Sequence, residues 1–133
     1  MSRDDLAAIE LTEDEQHLLV WGLQVWQGAS HPSLAMRYAL GFEDYTDIFP
    51  WTSEKVRTIG PLVELTRADW TQLMLLVELG FVSDNMGAGL KWIAISGIPD
   101  DQTMRLLRSV QRKLRSVLIR YDRRTGEPIP DRE

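Results

Sequence analysis

The chain has 133 residues, of which 44% are hydrophobic and 26% charged, and these values indicate one globular domain with a packed core. It contains no cysteine, which excludes disulfides, thiolate metal sites and a cysteine nucleophile. No apolar stretch approaches the ~20 residues that a transmembrane helix needs, and the acidic N-terminal residues lack the apolar run of a secretory signal. We therefore expect a cytoplasmic protein without a membrane partner.

The formal charge of −5 conceals an uneven distribution of charged residues. Residues 1–103 hold six Lys and Arg against sixteen Asp and Glu, whereas residues 104–133 hold nine against four. Such a division is typical of chains that contact nucleic acid or a membrane, and equally of chains whose two parts pair with each other. The sequence pI of about 5.0 lies far below the value above about 9 that marks most nucleic-acid-binding domains.

At the N-terminus, residues 1–11 are predicted to form a flexible acidic leader before a helical domain at 12–124, and composition predicts a disordered tail at 125–133. Thr12 is followed three residues later by Glu15, which is the pattern of a capping box. We therefore predict a helix that begins after Thr12 and ends near Gln27. Its middle is apolar on most sides, which indicates a central, buried helix.

The segment after this first helix predicts shorter elements. A short helix, SLAMRYAL, is expected to end at Gly41, which can adopt the left-handed conformation of a helix C-terminus. Pro50 predicts an irregular stretch or a single turn, because proline lacks the N–H that a helix interior needs. A further short helix is predicted to begin at Ser53.

The second half of the chain predicts the remaining helices. Thr66, followed by Asp69, predicts the cap of a second long helix over Trp70–Met86. The apolar residues assigned to its core stripe are Trp70, Leu73, Leu75, Met74, Leu76, Val77, Leu79, Phe81 and Val82. Residues 90–96 fit a short strand or a buried helical turn, and the absence of a recognisable partner strand favours the turn. With a last helix starting at Pro99, the sequence predicts an all-α fold: a small single-domain bundle of about five helices, two or three of them long.

The last helix, predicted to include residues 103–124, is amphipathic. Its expected inner face is Leu107, Val110, Leu114, Val117 and Tyr121, and its opposite face carries Arg105, Arg108, Arg112 and Arg115, which we call the arginine ridge. Like charges one turn apart repel by a few tenths of a kcal/mol each, so an opposite charge is expected nearby. The ridge is interpreted as a solvated face, as a partner of acids in this chain or another protein, or as a phosphate contact.

Tryptophan is abundant, with five residues in the chain. Trp21 and Trp26 are five positions apart on the first helix and therefore diverge by about 140°, so one of them needs a neighbour outside the core that the other faces. That neighbour is another element of the same bundle or a partner protein. Trp26 and Trp51 are accordingly candidate partner contacts, because tryptophan is frequent among interface anchors and Trp51 is expected in a loop.

No pattern of reactive residues predicts catalysis. The two histidines, His17 and His31, have no metal-ligand spacing, and nucleophile and nucleotide-binding motifs are absent from the sequence. We therefore expect no catalytic residues, no metal and no cofactor. The predicted function is non-enzymatic protein–protein interaction, as an adaptor or regulatory module, with homodimerisation as one form of it. The alternative is a nucleic-acid-binding regulator that uses the basic helix at 103–124, and the arginine ridge is the candidate contact in either case.

Overall fold

The computed structural model describes residues 5–28, 38–42, 45–85 and 87–115. The helices there are α1 (Glu13–Gln24), α2 (Tyr45–Thr58), α3 (Arg67–Val82), α4 (Trp92–Ser96) and α5 (Asp100–Leu114), and the strands are β1 (Leu6–Glu10) and β2 (Leu62–Thr66). The prediction of a small, mostly helical domain is confirmed, but the prediction of an all-α fold is wrong because of the two strands. The predicted tail at 125–133 lies outside the described residues. Within them, no helix has the length and apolar character needed to cross a membrane.

The two strands pair in antiparallel register, with Leu6 opposite Thr66 and Glu10 opposite Leu62. Alternate residues point to opposite faces of a strand, and here the inward set is buried: Ala7, Ile9, Val63 and Leu65. Residues 6–10 therefore form a strand instead of part of the predicted leader. The prediction of a flexible leader rested on the polar residues around this segment. Burial of the inward apolar side chains stabilises the strand in spite of those polar residues.

Helix α1 is central, as predicted, and packs against α2, α3 and α5. Its capping box is present, because the Glu15 N–H donates to Thr12 Oγ1 at 3.1 Å and the Thr12 N–H donates to Glu15 Oε1 at 2.8 Å. Leu18, Leu19 and Leu23 are fully buried. These contacts make α1 the element to which the other helices are attached.

The chain leaves α1 through a 3-10 turn, Val25–Gln27, that lies close against α3. A Cβ atom on Gly80 would lie only 2.7 Å from Val25 Cγ2 and 3.0 Å from the Gly22 carbonyl oxygen. The glycine is therefore required for this close approach. The close approach of the turn to α3 also brings the Trp26 indole within hydrogen-bond distance of the α3 backbone.

Helix α2 continues through Pro50, although the sequence predicts an irregular stretch there and a new helix only at Ser53. Two buried residues one turn apart, Ile48 and Thr52, anchor this segment, and the Thr52 hydroxyl donates to the Ile48 carbonyl at 2.8 Å. Tertiary packing thus overrides the local cost of the proline. The predicted helix SLAMRYAL lies mostly outside the described residues, but Gly41 has the left-handed φ of 91° that was expected.

The remaining elements are of the predicted type, but α3 spans Arg67–Val82 where the sequence predicts Trp70–Met86. Thr66 caps α3 by accepting a hydrogen bond from the Asp69 N–H at 3.0 Å. Residues 89–96 form a 3-10 turn and α4, so the non-strand interpretation is confirmed. The inner face predicted for α5 is confirmed at Leu107, Val110 and Leu114, which are buried; Val117 and Tyr121 lie outside the described residues.

Candidate functional site

The arginine ridge is exposed along the outer side of α5. Arg105 Nη1 lies 3.5 Å from Asp101 Oδ2, one turn earlier on the same helix, and Arg108 donates to Gln111 Oε1 at 3.0 Å. Arg112 and Arg115 are also exposed. Apart from this Arg105–Asp101 contact within α5, no ion pair in the described ranges joins these four arginines to the acidic part of the chain, residues 1–103, so the ridge faces solvent.

The basic residue of α5 that does pair with the acidic half is Lys113. Its ammonium contacts Glu15 Oε1 and donates to the Glu10 carbonyl at 3.0 Å, while the Ser109 hydroxyl donates to Glu15 Oε2 at 2.6 Å. Burial raises the pKa of Glu15, but the hydrogen bonds from Lys113, Ser109 and the Thr12 N–H, with the charge of Lys113, outweigh it and hold the pKa below its ordinary value. Compensation between the acidic and basic parts of the chain therefore occurs through Lys113 and Ser109, on the flank of α5 between the ridge and the buried face.

Helices α3 and α5 enclose a groove, and they run in opposite directions along it. Residues near the C-terminal end of α3 face the N-terminal half of α5, and Met74 faces the end of α5. Midway, Gln111 Nε2 donates to Glu78 Oε1 at 2.7 Å. This hydrogen bond crosses the groove and divides it into two pockets that share Glu78 and Gln111.

Each pocket is apolar inside and has one arginine in its wall. The first, which we call the Arg108 pocket, has a volume of about 320 Å³ and is lined by Leu75, Leu79, Phe81, Val82, Met104 and Leu107. The second, the Arg115 pocket, has a volume of about 200 Å³ and is lined by Met74 and Leu114. Together they form a bipartite groove with arginines spaced seven residues apart along one wall.

The apolar wall contributed by α3 is not covered by other described residues. Val82 is 68% exposed and Leu75 is 40% exposed, with half-buried Leu79 between them at helical spacing. The sequence assigns all three to the core. Because α3 is apolar on nearly every side, its periodicity does not distinguish the residues that face the core from those that face the groove.

The structure does not bring the two candidate tryptophans to this groove. Trp26 is only 2% exposed, and its indole N–H donates to the Leu76 carbonyl at 2.9 Å, so the prediction that it contacts a partner is corrected. Trp51 lies in helix α2 instead of a loop and is half-buried. It packs edge-to-face on Phe42 at 5.8 Å, and Lys55 Nζ lies 5.2 Å from its ring centre.

His17 and the Lys55–Asp69 pair, which lie outside the groove, have structural contacts. His17 Nε2 lies 3.0 Å from the Ser96 carbonyl and links α1 to α4, whereas His31 is outside the described residues. Lys55 pairs with Asp69 at 3.0 Å between α2 and α3. In the described part of the chain, no cluster of three or more His, Asp or Glu residues is arranged to hold a metal ion.

Comparison with protein-family models, curated proteins and solved structures gives no significant match to this chain. The function is therefore proposed from the geometry of the groove and the ridge.

Proposed function

We propose that this protein acts without catalysis, by binding another protein as an adaptor or regulatory module, and that the groove between α3 and α5 is its docking surface. The observation that carries the proposal is the exposed apolar wall formed by Leu75, Val82 and Met104 in the Arg108 pocket. Contiguous apolar surface rimmed by polar groups is typical of protein-binding sites.

The shape of the groove suits a helical segment. It extends along α5 from Met104 to Arg115, which corresponds to about 17 Å or three helical turns. A helix laid between two antiparallel helices presents apolar residues to such a groove at three- and four-residue spacing. A partner helix would bury the wall that α3 leaves open.

A second copy of this chain is one form that the partner can take. The spacing of Leu107, Val110 and Leu114 would also suit a helix–helix seam between two copies, but these residues are buried in the core of their own chain. Self-association would therefore use the groove instead of that seam.

Selection from a displayed library of helical peptides tests the proposal. The double variant Leu75→Gln/Val82→Gln makes the groove wall polar at two exposed positions, and Leu62→Gln/Leu90→Gln is the matched control at two exposed leucines outside the groove. We expect peptides selected on the unaltered protein to bind the control and to lose binding to the groove variant. Peptides that bind both variants equally, or a library without any specific binder, would contradict a docking role for this groove.

The second candidate function is nucleic-acid binding by the arginine ridge. Its exposure along α5 favours this alternative, since arginines held by buried carboxylates would not reach a phosphate backbone. The net charge of −5 opposes it, because a duplex carries one negative charge per about 1.7 Å and so dense a polyanion is repelled at long range. We therefore place protein binding first.

A further inference from the structure

We infer that the partner recognised by the groove is an acidic amphipathic helix with two apolar anchor residues seven positions apart, one for each pocket, and carboxylates beside them. This inference rests on the proposed function and specifies the chemistry of the partner at the same site.

The spacing of the anchors follows from the hydrogen bond that divides the groove. Gln111 and Glu78 close the middle of the groove, so apolar side chains can enter only on either side of them. Arg108 and Arg115 mark the two pockets on α5 and are seven residues, or about 10.5 Å, apart. A partner helix aligned with α5 returns to the same face after seven residues, so its anchors are at positions i and i+7.

The residue between the anchors must meet a polar bridge. At i+3 or i+4 the partner lies over the Gln111 amide and the Glu78 carboxylate, which already bond to each other at 2.7 Å. A small or hydroxyl side chain fits here without breaking that bond. A leucine would desolvate the Glu78 carboxylate without a compensating hydrogen bond, so a continuous apolar stripe is disfavoured.

The charge of the partner follows from the walls of the pockets. Each pocket has an exposed arginine, Arg108 or Arg115, and Arg112 lies between them on the outer side of α5. Glu78 is the only described acid that lines either pocket, and it already accepts the Gln111 hydrogen bond. Carboxylates placed beside the anchors would therefore meet two guanidinium groups, whose forked donors suit carboxylate oxygens.

The test uses synthetic peptides of about 16 residues, which form four helical turns. All are labelled with fluorescein, and their binding to the full chain is measured by anisotropy at about 50 mM salt. One peptide carries leucines at i and i+7 flanked by glutamates, a second carries lysines in place of the glutamates, and a third keeps the glutamates but replaces both leucines with serine. A short DNA duplex serves as a fourth probe.

We expect the acidic amphipathic peptide to bind about ten-fold more tightly than the lysine peptide, because two attractive contacts become repulsive. The serine peptide should bind at least about ten-fold more weakly than the acidic amphipathic peptide, since it loses both anchors. The double variant Arg108→Gln/Arg115→Gln should remove most of the preference for glutamate. Arg57→Gln, which changes one charge at an exposed position of α2, is the control and should retain the preference.

One further variant makes the electrostatic argument specific to the groove. Glu78→Gln removes the acid shared by both pockets, so it should strengthen binding of the acidic peptide by about 1.5- to 5-fold and weaken binding of the lysine peptide. Thermal unfolding of each variant verifies that it is folded. The comparison of the acidic, lysine and serine peptides uses only the unaltered protein and is independent of any variant.

The outcomes separate the two levels of the proposal. Equal binding of the acidic and lysine peptides overturns the acidic partner but leaves a helix-docking groove. Equal binding of the acidic amphipathic and serine peptides overturns the two anchors. Failure of every peptide to bind overturns this inference, and the library selection then decides separately whether the groove docks proteins at all. Binding of the duplex without binding of the peptides overturns it in favour of the arginine ridge as a nucleic-acid contact.

Discussion

Replacing Lys113 with methionine tests how much the buried contact between the two halves of the chain contributes to stability. The change keeps an unbranched apolar side chain out to Cε but removes the ammonium that contacts Glu15. The Glu15 side chain is only 1% exposed, so its carboxylate would remain buried with the Ser109 hydroxyl and the Thr12 N–H as its hydrogen-bond donors.

The magnitude follows from that burial. Loss of one partner of a fully buried ion pair costs about 3–5 kcal/mol, because the remaining charge is uncompensated. Lys113 is itself 35% exposed, and the two remaining hydrogen bonds still stabilise the carboxylate, so we expect a loss of about 1.5–3 kcal/mol. Arg112→Met, at the neighbouring exposed position, is the matched control and should cost less than about 0.5 kcal/mol.

Urea unfolding at neutral pH measures both losses, and a double-mutant cycle isolates the pair. In the background of Glu15→Gln, which retains an oxygen for the Thr12 N–H, Lys113→Met should cost about 1–2 kcal/mol less than it does in the unaltered protein. Equal effects of Lys113→Met and Arg112→Met, or strict additivity in the cycle, would refute the assignment of this stabilisation to the ion pair.

The pH dependence gives a second check on the same pair. The pKa of Glu15 in the folded protein is held below the ordinary value of 4.5, so the ionised carboxylate stabilises the fold above that pH, and the contribution is lost as pH falls through the folded pKa. Lys113→Met removes the main group that lowers this pKa. The difference in unfolding free energy between the variant and the unaltered protein should therefore shrink as pH falls below 4.5.

Three further predictions concern the core, the ridge and the oligomeric state. Gly80→Ala should lower the unfolding free energy by about 1–3 kcal/mol, because the new methyl group would lie 2.7 Å from Val25 Cγ2. Gly60→Ala is the control and should change the unfolding free energy little, because no atom lies within 4 Å of the added Cβ. Equal effects of the two variants would contradict the close approach at Gly80. Fluorescence anisotropy with duplex DNA should detect no binding at about 50 mM salt. The nucleic-acid alternative would instead be supported by binding for which the slope of log affinity against log salt concentration flattens by about two units in Arg108→Gln/Arg112→Gln. Sedimentation equilibrium tests homodimerisation, and a mass that stays at 15.3 kDa at every concentration excludes self-association. If the mass rises with concentration and Leu75→Gln/Val82→Gln abolishes that rise, the self-association uses the groove.

The features that could be predicted from the sequence are those set by neighbouring residues. The caps at Thr12 and Thr66 each depend on a hydroxyl and an N–H three residues apart, so the sequence shows them directly. The inner face of α5 is equally local, because its strongly polar outer side makes the period of Leu107, Val110 and Leu114 clear.

The features that the sequence did not predict depend on residues far apart in the chain. Strands β1 and β2 have five residues each and are separated by the whole of α1 and α2. No hairpin turn joins them, so the sequence does not predict that they pair. Helix α2 continues through Pro50, where Ile48 and Thr52 on either side of it are buried against other elements. The groove between α3 and α5 was missed for a similar reason, since Val82 resembles a core residue until the path of α5 is known.

The hydrogen bonds of three buried indole N–H groups allow the opening of separate parts of this fold to be measured. The N–H groups of Trp26, Trp70 and Trp92 donate to the Leu76 carbonyl, the Ala7 carbonyl and the Thr103 hydroxyl at 2.8–2.9 Å. Indole protons resonate apart from backbone amides in NMR spectra, so each gives a separate hydrogen-exchange rate. The Trp26 proton reports on the contact of the turn after α1 with α3, the Trp70 proton on the contact of the sheet with α3, and the Trp92 proton on the contact of α4 with α5. If these junctions open independently, the three protons will exchange at different rates, and if the domain opens as one cooperative unit, they will share the rate of global unfolding.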